Sequence, residues 1–228
     1  MALLITRPST FLPLILAEGE DSRYGEIVTT TVKASKDYYP SRFSPDIARS
    51  TERVLTRYPA LDTMKSQNLE AVSRFLSQNL PVSYSPSFLM QFIVGKDCFC
   101  FCARDLSRES ELRKHDDKGI VGVVAGKVLR SALNREVCTG HVMMLAVATE
   151  WRRFGVGWEL LRKLELAFNN VSSSSITAPR LKSIFLQVAS TNSGAIQFYE
   201  KGGYAYEKSE CGYYGNKVDG IVMRKYVD

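Results

Sequence analysis

The chain has 228 residues, of which 45% are hydrophobic, and a formal net charge of +6 at pH 7. That length suits one globular domain with additions, large enough to enclose a pocket without disulfides or metals to hold it together. The charge is modest and no run of five or more basic residues occurs, which excludes a nucleic-acid arm and direct sequence-specific nucleic-acid binding but fits an anionic ligand.

Residues 1–58 show no sustained period and carry turn-rich stretches such as Thr29-Thr30-Thr31 and Tyr38-Tyr39-Pro40. They read as an N-terminal extension, partly disordered or draped over a folded domain of residues 59–228. Within it, the apolar stretch Phe11 to Ala17 is short, broken by Pro13 and followed by Glu18, Glu20 and Asp21. Neither a signal peptide nor a membrane span is expected from it. Order is expected to begin near Pro59. Asp62 or Thr63 is placed to cap a helix with Leu69, Val72, Phe75 and Leu76 on its apolar stripe. Pro81 stops that helix, and a second short one follows Pro86 with Phe88, Leu89 and Phe92 on its apolar side.

Strands come next. Cys98 to Arg104 alternates, so that Cys98, Cys100 and Cys102 share one face of a sheet. With Cys138 and Cys211 they make five cysteines, without the CxxC pairs or His/Cys clusters of a metal site. Reduced thiols of this kind point to a cytosolic or nuclear protein, and the chain as a whole reads as cytoplasmic. Ser107 to Lys118 reads as a charged connection, with His115 as a solvated loop residue. Ile120 to Leu129 is a glycine-punctuated strand and His141 to Ala148 another. A helix is expected over Gly155 to Phe168, closed by the serine tract Ser172 to Ser175, then a buried strand over Ile184 to Val188 and a helix over Ser193 to Glu200. Two last strands, Tyr204 to Lys208 and Gly220 to Tyr226, flank a loop that carries Tyr213 and Tyr214. This order makes an α/β (α+β) fold, with a mixed sheet and helices on both faces.

The segment from Leu145 to Gly157 takes a buried strand through Arg152-Arg153-Phe154-Gly155-Val156-Gly157 directly into an amphipathic helix. Glycines there allow a tight turn and a close ligand, while unpaired N–H groups of the first turn form an anion site that Arg152 and Arg153 reinforce. Some forty residues later stands Asn192-Ser193-Gly194-Ala195-Ile196-Gln197-Phe198-Tyr199-Glu200-Lys201-Gly202-Gly203-Tyr204. Arg152-x-x-Gly155-x-Gly157 resembles the acetyl-CoA pyrophosphate loop of the GNAT acetyltransferases, and the second stretch resembles that superfamily's N-x-x-A-x-x-F-Y-x-x-x-G-[FY] signature. The resemblance spans about Leu61 to Val227. It implies the GNAT fold, a central, mostly antiparallel mixed sheet, with acetyl-CoA as co-substrate and no metal.

Within the superfamily the chain resembles the N-alpha-acetyltransferases, most of all the NatE catalytic subunit. Leu80-Pro81-Val82-Ser83-Tyr84 is similar to the loop that lines that enzyme's first-residue pocket. Gly140 to Val147 is similar to a strand of the NatA catalytic subunit, and Tyr213-Tyr214 matches a tyrosine pair that holds the peptide backbone. The resemblance implies acetyl transfer to the N-terminal amine of peptides or nascent proteins. The slot of Leu80, Pro81, Val82 and Tyr84 is apolar and has no carboxylate for a basic first residue, so a start of Met followed by an apolar residue is expected to be preferred. The resemblance also implies work in the cytoplasm, at the ribosome, with a helical auxiliary subunit as in the NatA complex. The alternatives are a GNAT enzyme acting on lysine side chains or a small amine, and a weakly active acetyl-CoA-binding subunit.

For the chemistry, His141 is the candidate base, because imidazole titrates near neutrality. The resemblance makes Tyr199 the proton donor to the CoA sulfur, with Tyr213 as a further catalytic candidate. Leu145, Ala146 and Val147 would offer backbone groups to pantetheine and polarise the thioester carbonyl. Arg152, Arg153, Phe154, Gly155, Val156 and Gly157 would hold the diphosphate, and Asn192 would bind the pantetheine arm or cap the next helix. Leu80, Pro81, Val82, Tyr84, Gln187, Tyr213 and Tyr214 would meet the peptide. Two positions depart from the NatE pattern: His141 replaces its catalytic tyrosine and Gln187 its catalytic histidine.

Overall fold

A computed structural model describes residues 59–105, 119–131, 134–173, 177–215 and 218–227. The expected extension over residues 1–58, the Ser107–Lys118 connection and the end of the serine tract lie outside the described residues. The elements run β1 (Ala60–Thr63), α1 (Leu69–Asn79), α2 (Pro86–Val94), β2 (Cys98–Arg104), β3 (Ile120–Arg130), β4 (Val137–Val147), α3 (Val156–Ser172), β5 (Arg180–Ala189), α4 (Ser193–Lys201), β6 (Ala205–Glu210) and β7 (Gly220–Tyr226). The strands form one sheet in the order β1-β2-β3-β4-β5-β7-β6. All neighbours are antiparallel except β4 and β5, which α3 joins as a parallel crossover. This is the expected mixed, mostly antiparallel sheet.

Several boundaries differ from those read along the chain. Asp62 and Thr63 do not cap a helix; they lie in β1, paired with Cys102 and Phe101 of β2. Arg104 Nε donates to Asp62 Oδ2 at 2.9 Å, so the carboxylate braces the sheet edge instead. A 3₁₀ turn over Ser66–Asn68 then leads into α1. β4 begins four residues before His141, because Val137 to Gly140 pair with β5, and α3 continues to Ser172.

Alternation assigns the faces. On β2, Phe99 packs edge-on against Phe168 of α3 and Lys163 of α3 lies over the Phe101 ring, so the three cysteines face the other way. That leaves the opposite face of β2 and β3 to α1 and α2. The helix α3 buries Val156, Leu160, Leu161, Leu164 and Phe168 against the sheet. It comes close because its landing ground lacks side chains: a Cβ on Gly126 would lie 2.8 Å from Phe168 Cζ, and one on Gly140 2.5 Å from Phe168 Cδ2.

Two features of β4 create a fork. Ala125 of β3 pairs with Met144 and Gly126 with Val142, so Met143 is an extra residue, a bulge that sharpens the local twist. The ladder to β5 then ends at Val142–Leu186, although β4 runs on to Val147 and β5 to Ala189.

Gly140→Ala is expected to cost about 1–3 kcal/mol, because the fully buried Phe168 ring has nowhere to yield. A denaturant melt checks it; unchanged stability would mean that α3 is free to lift off the sheet.

Candidate active site

β4 leaves the fork through a 3₁₀ turn, Thr149–Trp151, and enters α3 by a turn in which Arg153 has φ 69° and Gly155 φ 83°. Gly155 is the helix N-cap and, having no side chain, makes no cap bond to the first-turn N–H groups. They are therefore open to an anion. Arg152 Nε donates to the Val147 carbonyl at 2.9 Å, which ties this turn to the end of β4. A Cβ on Gly157 would lie 3.5 Å from Val147 Cγ2 and 3.7 Å from the Phe198 ring, so the first turn of α3 sits against both β4 and α4. Arg153 and Phe154 are exposed there, while Val156 is core. The side chains of Leu145, Ala146 and Val147 are buried, and only their backbone can face a ligand in the fork.

On α4, Asn192 acts as the N-cap: its side-chain oxygen accepts from Ala195 N at 3.2 Å. Tyr199 is 0% exposed, its ring edge-on to Phe198 at 5.1 Å and to Tyr204 at 5.7 Å. Tyr204 donates to Glu165 at 2.8 Å, but the hydroxyl of Tyr199 has no hydrogen-bond partner among the described residues.

At the base of the fork His141 pairs with Phe185 and stacks on its ring, 4.3 Å apart at 10°. Gln187, two residues along β5, shares that face, and its Oε1 lies 3.0 Å from His141 Nε2. The histidine is thus bonded to a side chain rather than to a backbone carbonyl. With Oε1 as acceptor, Nε2 carries the proton and Nδ1 keeps the lone pair. Burial pushes the imidazole down to about 4; the Gln187 bond opposes this, Lys127 adds to it and Glu210 opposes it. The ring is therefore neutral at pH 7.

The expected substrate residues divide. Leu80 is core and Pro81 exposed, while Val82 is half-buried and Tyr84 buried. Tyr84 stacks on Phe88 at 5.0 Å, and its hydroxyl has no partner among the described residues. Tyr213 and Tyr214 meet edge-on at 5.0 Å. Burial, and next Tyr213, raise the Tyr84 phenol above its ordinary value; burial, and next Tyr214, raise Tyr199. The β6–β7 loop therefore reaches both the α1–α2 loop and α4, and the tyrosines gather around one space. Among the described residues no group of His, Cys, Asp or Glu could hold a metal ion, and no helix is long and apolar enough to cross a membrane.

Phe185, Lys127 and Glu210 were not singled out along the chain. Only the position of Phe185, two residues before Gln187 on a strand, signalled that it shares the Gln187 face.

Fold, fork and motifs together define an acetyltransferase domain: residues 69–204, more than half of the chain, match the acetyltransferase (GNAT) family. The chain belongs to that family. N-alpha-acetyltransferase 60 of Xenopus tropicalis is 26% identical over 135 residues, which are 58% of this chain and 54% of that protein. This chain thus spans about half of that relative's length. Among solved structures, Arabidopsis thaliana NAA60 in complex with a bisubstrate analogue aligns with a TM-score of 0.62 at 18% identity, over 74% of this chain and 99% of that one. Arabidopsis thaliana Naa50 in complex with the bisubstrate analogue CoA-Ac-MVNAL aligns with a TM-score of 0.55 at 23% identity, over 73% and 97%. Both share the fold.

Without ligand, Tyr199→Phe is expected to raise stability by about 1 kcal/mol, since it removes a buried hydroxyl that no described residue satisfies. That corresponds to a melting temperature about 2–4 °C higher in a scanned melt. A lower one would mean that the hydroxyl is satisfied in the free protein.

Proposed function

We propose that the protein transfers an acetyl group from acetyl-CoA to the N-terminal α-amine of peptides or nascent proteins in the cytoplasm, and prefers Met followed by an apolar residue. The observation that carries this reading is the fully buried hydroxyl of Tyr199, without a partner among the described residues, on the helix whose Phe198 lies by the first turn of α3. A group that costly to bury fits a ligand that completes it.

Acetyl-CoA, when bound, supplies the acetyl thioester and its leaving thiolate. The first-turn N–H groups of α3, with Arg152 and Arg153, would hold the diphosphate. The backbone of Leu145, Ala146 and Val147 would take the pantetheine amides and polarise the carbonyl. Tyr199 would donate its hydroxyl proton to the departing sulfur. Across the fork, Val82 and Tyr84 would enclose the first side chain, and Tyr213 and Tyr214 would hold the peptide backbone.

An α-ammonium must lose one proton to become a nucleophile; as the neutral nitrogen then bonds to the acetyl carbon and the C–S bond breaks, it gives up a second, which through water replaces the proton that Tyr199 hands to the sulfur. An α-ammonium titrates near 7.7–8.0, whereas His141 sits at about 4. Handing the proton to that ring is uphill by roughly four pH units, or about 5 kcal/mol. His141 is therefore assigned as a neutral acceptor that orients the amine or a water through Nδ1, with Gln187 fixing its tautomer. The amine would arrive already neutral.

Two outcomes follow. The pH profile of kcat/KM is expected to rise through about 8, the substrate's own pKa, with no limb near 6.5. His141→Ala should lower kcat by about 10- to 1,000-fold and keep that limb; a limb near 6.5 that vanishes in the variant would restore His141 as the base.

For the substrate, burying a Met side chain contributes about 1.5–3 kcal/mol, enough for ten- to a hundredfold preference over a small polar residue. Steady-state turnover of matched peptides differing in their first two residues is expected to favour Met-apolar starts. Faster Ser- or Ala-starting peptides would place the chain with NatA-type enzymes. A faster N-blocked peptide with an internal lysine would remove the N-terminal assignment.

A further inference from the structure

The chain has two tryptophans, and their surroundings differ. Trp151 is buried in the turn before α3, whereas Trp158, the third residue of α3, is 39% exposed. The core face of the helix does not use its indole, since Val156, Leu160, Leu161, Leu164 and Phe168 carry that contact. The ring is nonetheless held in place. It stands edge-on to Phe198 of α4, 6.2 Å apart at 81°, and a Cβ on Gly202 would meet its Cζ3 at 3.1 Å. Helix α4 thus braces the indole on one side and leaves much of it open to solvent. Its Cα stands about 3 Å along the helix axis from Val156, within the turn whose N–H groups receive no cap bond from Gly155.

We infer that Trp158 is the stacking platform for the adenine of coenzyme A. The inference rests on the reading of this turn as the diphosphate site. In coenzyme A the diphosphate joins the pantetheine arm to an adenosine. With the arm running into the fork along β4, the adenosine is left outside, at the first turn of α3. An exposed aromatic already immobilised by its neighbours loses little freedom on stacking, and every base presents a π-face to it. A base on one aromatic ring changes affinity by about 5- to 150-fold.

The test is calorimetry on the full chain with CoA and with 4′-phosphopantetheine, which lacks the 3′-phosphoadenosine and the second phosphate of the diphosphate, so the effect of Trp158 is read from the variant on each ligand. Trp158→Ala is expected to weaken CoA by about 5- to 150-fold and leave phosphopantetheine unchanged. Trp158→Phe should restore most of the affinity, and Leu166→Ala, equally open at 51% exposure two turns on, should change nothing. CoA should also quench the Trp158 emission in the wild type, and phosphopantetheine should not. Unchanged CoA affinity in Trp158→Ala, or equal weakening of both ligands, overturns the inference. Wild-type protein that binds both ligands alike overturns it too, because the second phosphate and the adenosine together would then add nothing. Wild-type protein that binds neither removes the cofactor reading and this inference with it.

Discussion

The pairing of β4 with β5 stops at Val142 and Leu186, and the rest of the molecule is arranged around that stop. Backbone N–H and C=O groups inside a sheet are ordinarily consumed by neighbouring strands. Here Met143 bulges β4 against β3, the strand twists away, and five further residues of β4 run beyond the parallel ladder. β7 keeps hold of β5 up to Ala189, so the opening is one-sided and firmly framed. The α3 turn caps its upper end through Arg152 and Val147, and α4 closes on it through Phe198. A groove with rigid walls and unused backbone polarity is what an extended, amide-bearing arm requires.

The polar groups near the fork share a second property, which is that burial and not charge controls them. His141 lies far below the usual imidazole range although Gln187 and Glu210 favour its charged form. Tyr84 and Tyr199 are pushed the other way, toward the neutral phenol. All three are neutral near pH 7, able to donate or accept hydrogen bonds without carrying charge. Such a set suits a reaction whose charge arrives with the ligands: an anionic diphosphate on one side and an amine on the other. Gln187 fits the same pattern, since its amide fixes the histidine without a carboxylate that would draw the ring back toward protonation.

Family membership and the departures from the NatE pattern are compatible on these grounds. The stretches that resemble the GNAT signatures occupy the α3 turn and α4. The departures, His141 and Gln187, lie together at the base of the fork and bond to each other.

Much of this was legible along the chain. Alternation placed β2 at Cys98–Arg104 and β7 at Gly220–Tyr226, and the glycines and arginines after Val147 marked the helix entry, because those signals are local. β1 was not legible: four residues with mostly half-buried side chains have no period of their own and exist as a strand only because β2 and Arg104 hold them. The chain supplied His141 as a titratable group, but its protonation was decided by burial, and Phe185, whose ring stacks on it, lies 44 positions away and meets it only through the parallel ladder. The same holds for Tyr199 and Trp158. One is an aromatic sealed from solvent with a hydroxyl that no described residue satisfies, the other an aromatic held open, and nothing in their neighbouring residues tells them apart. Local sequence fixes which turn a backbone takes; burial, and with it the chemistry of a buried or exposed ring, is set by segments that only the tertiary structure brings together.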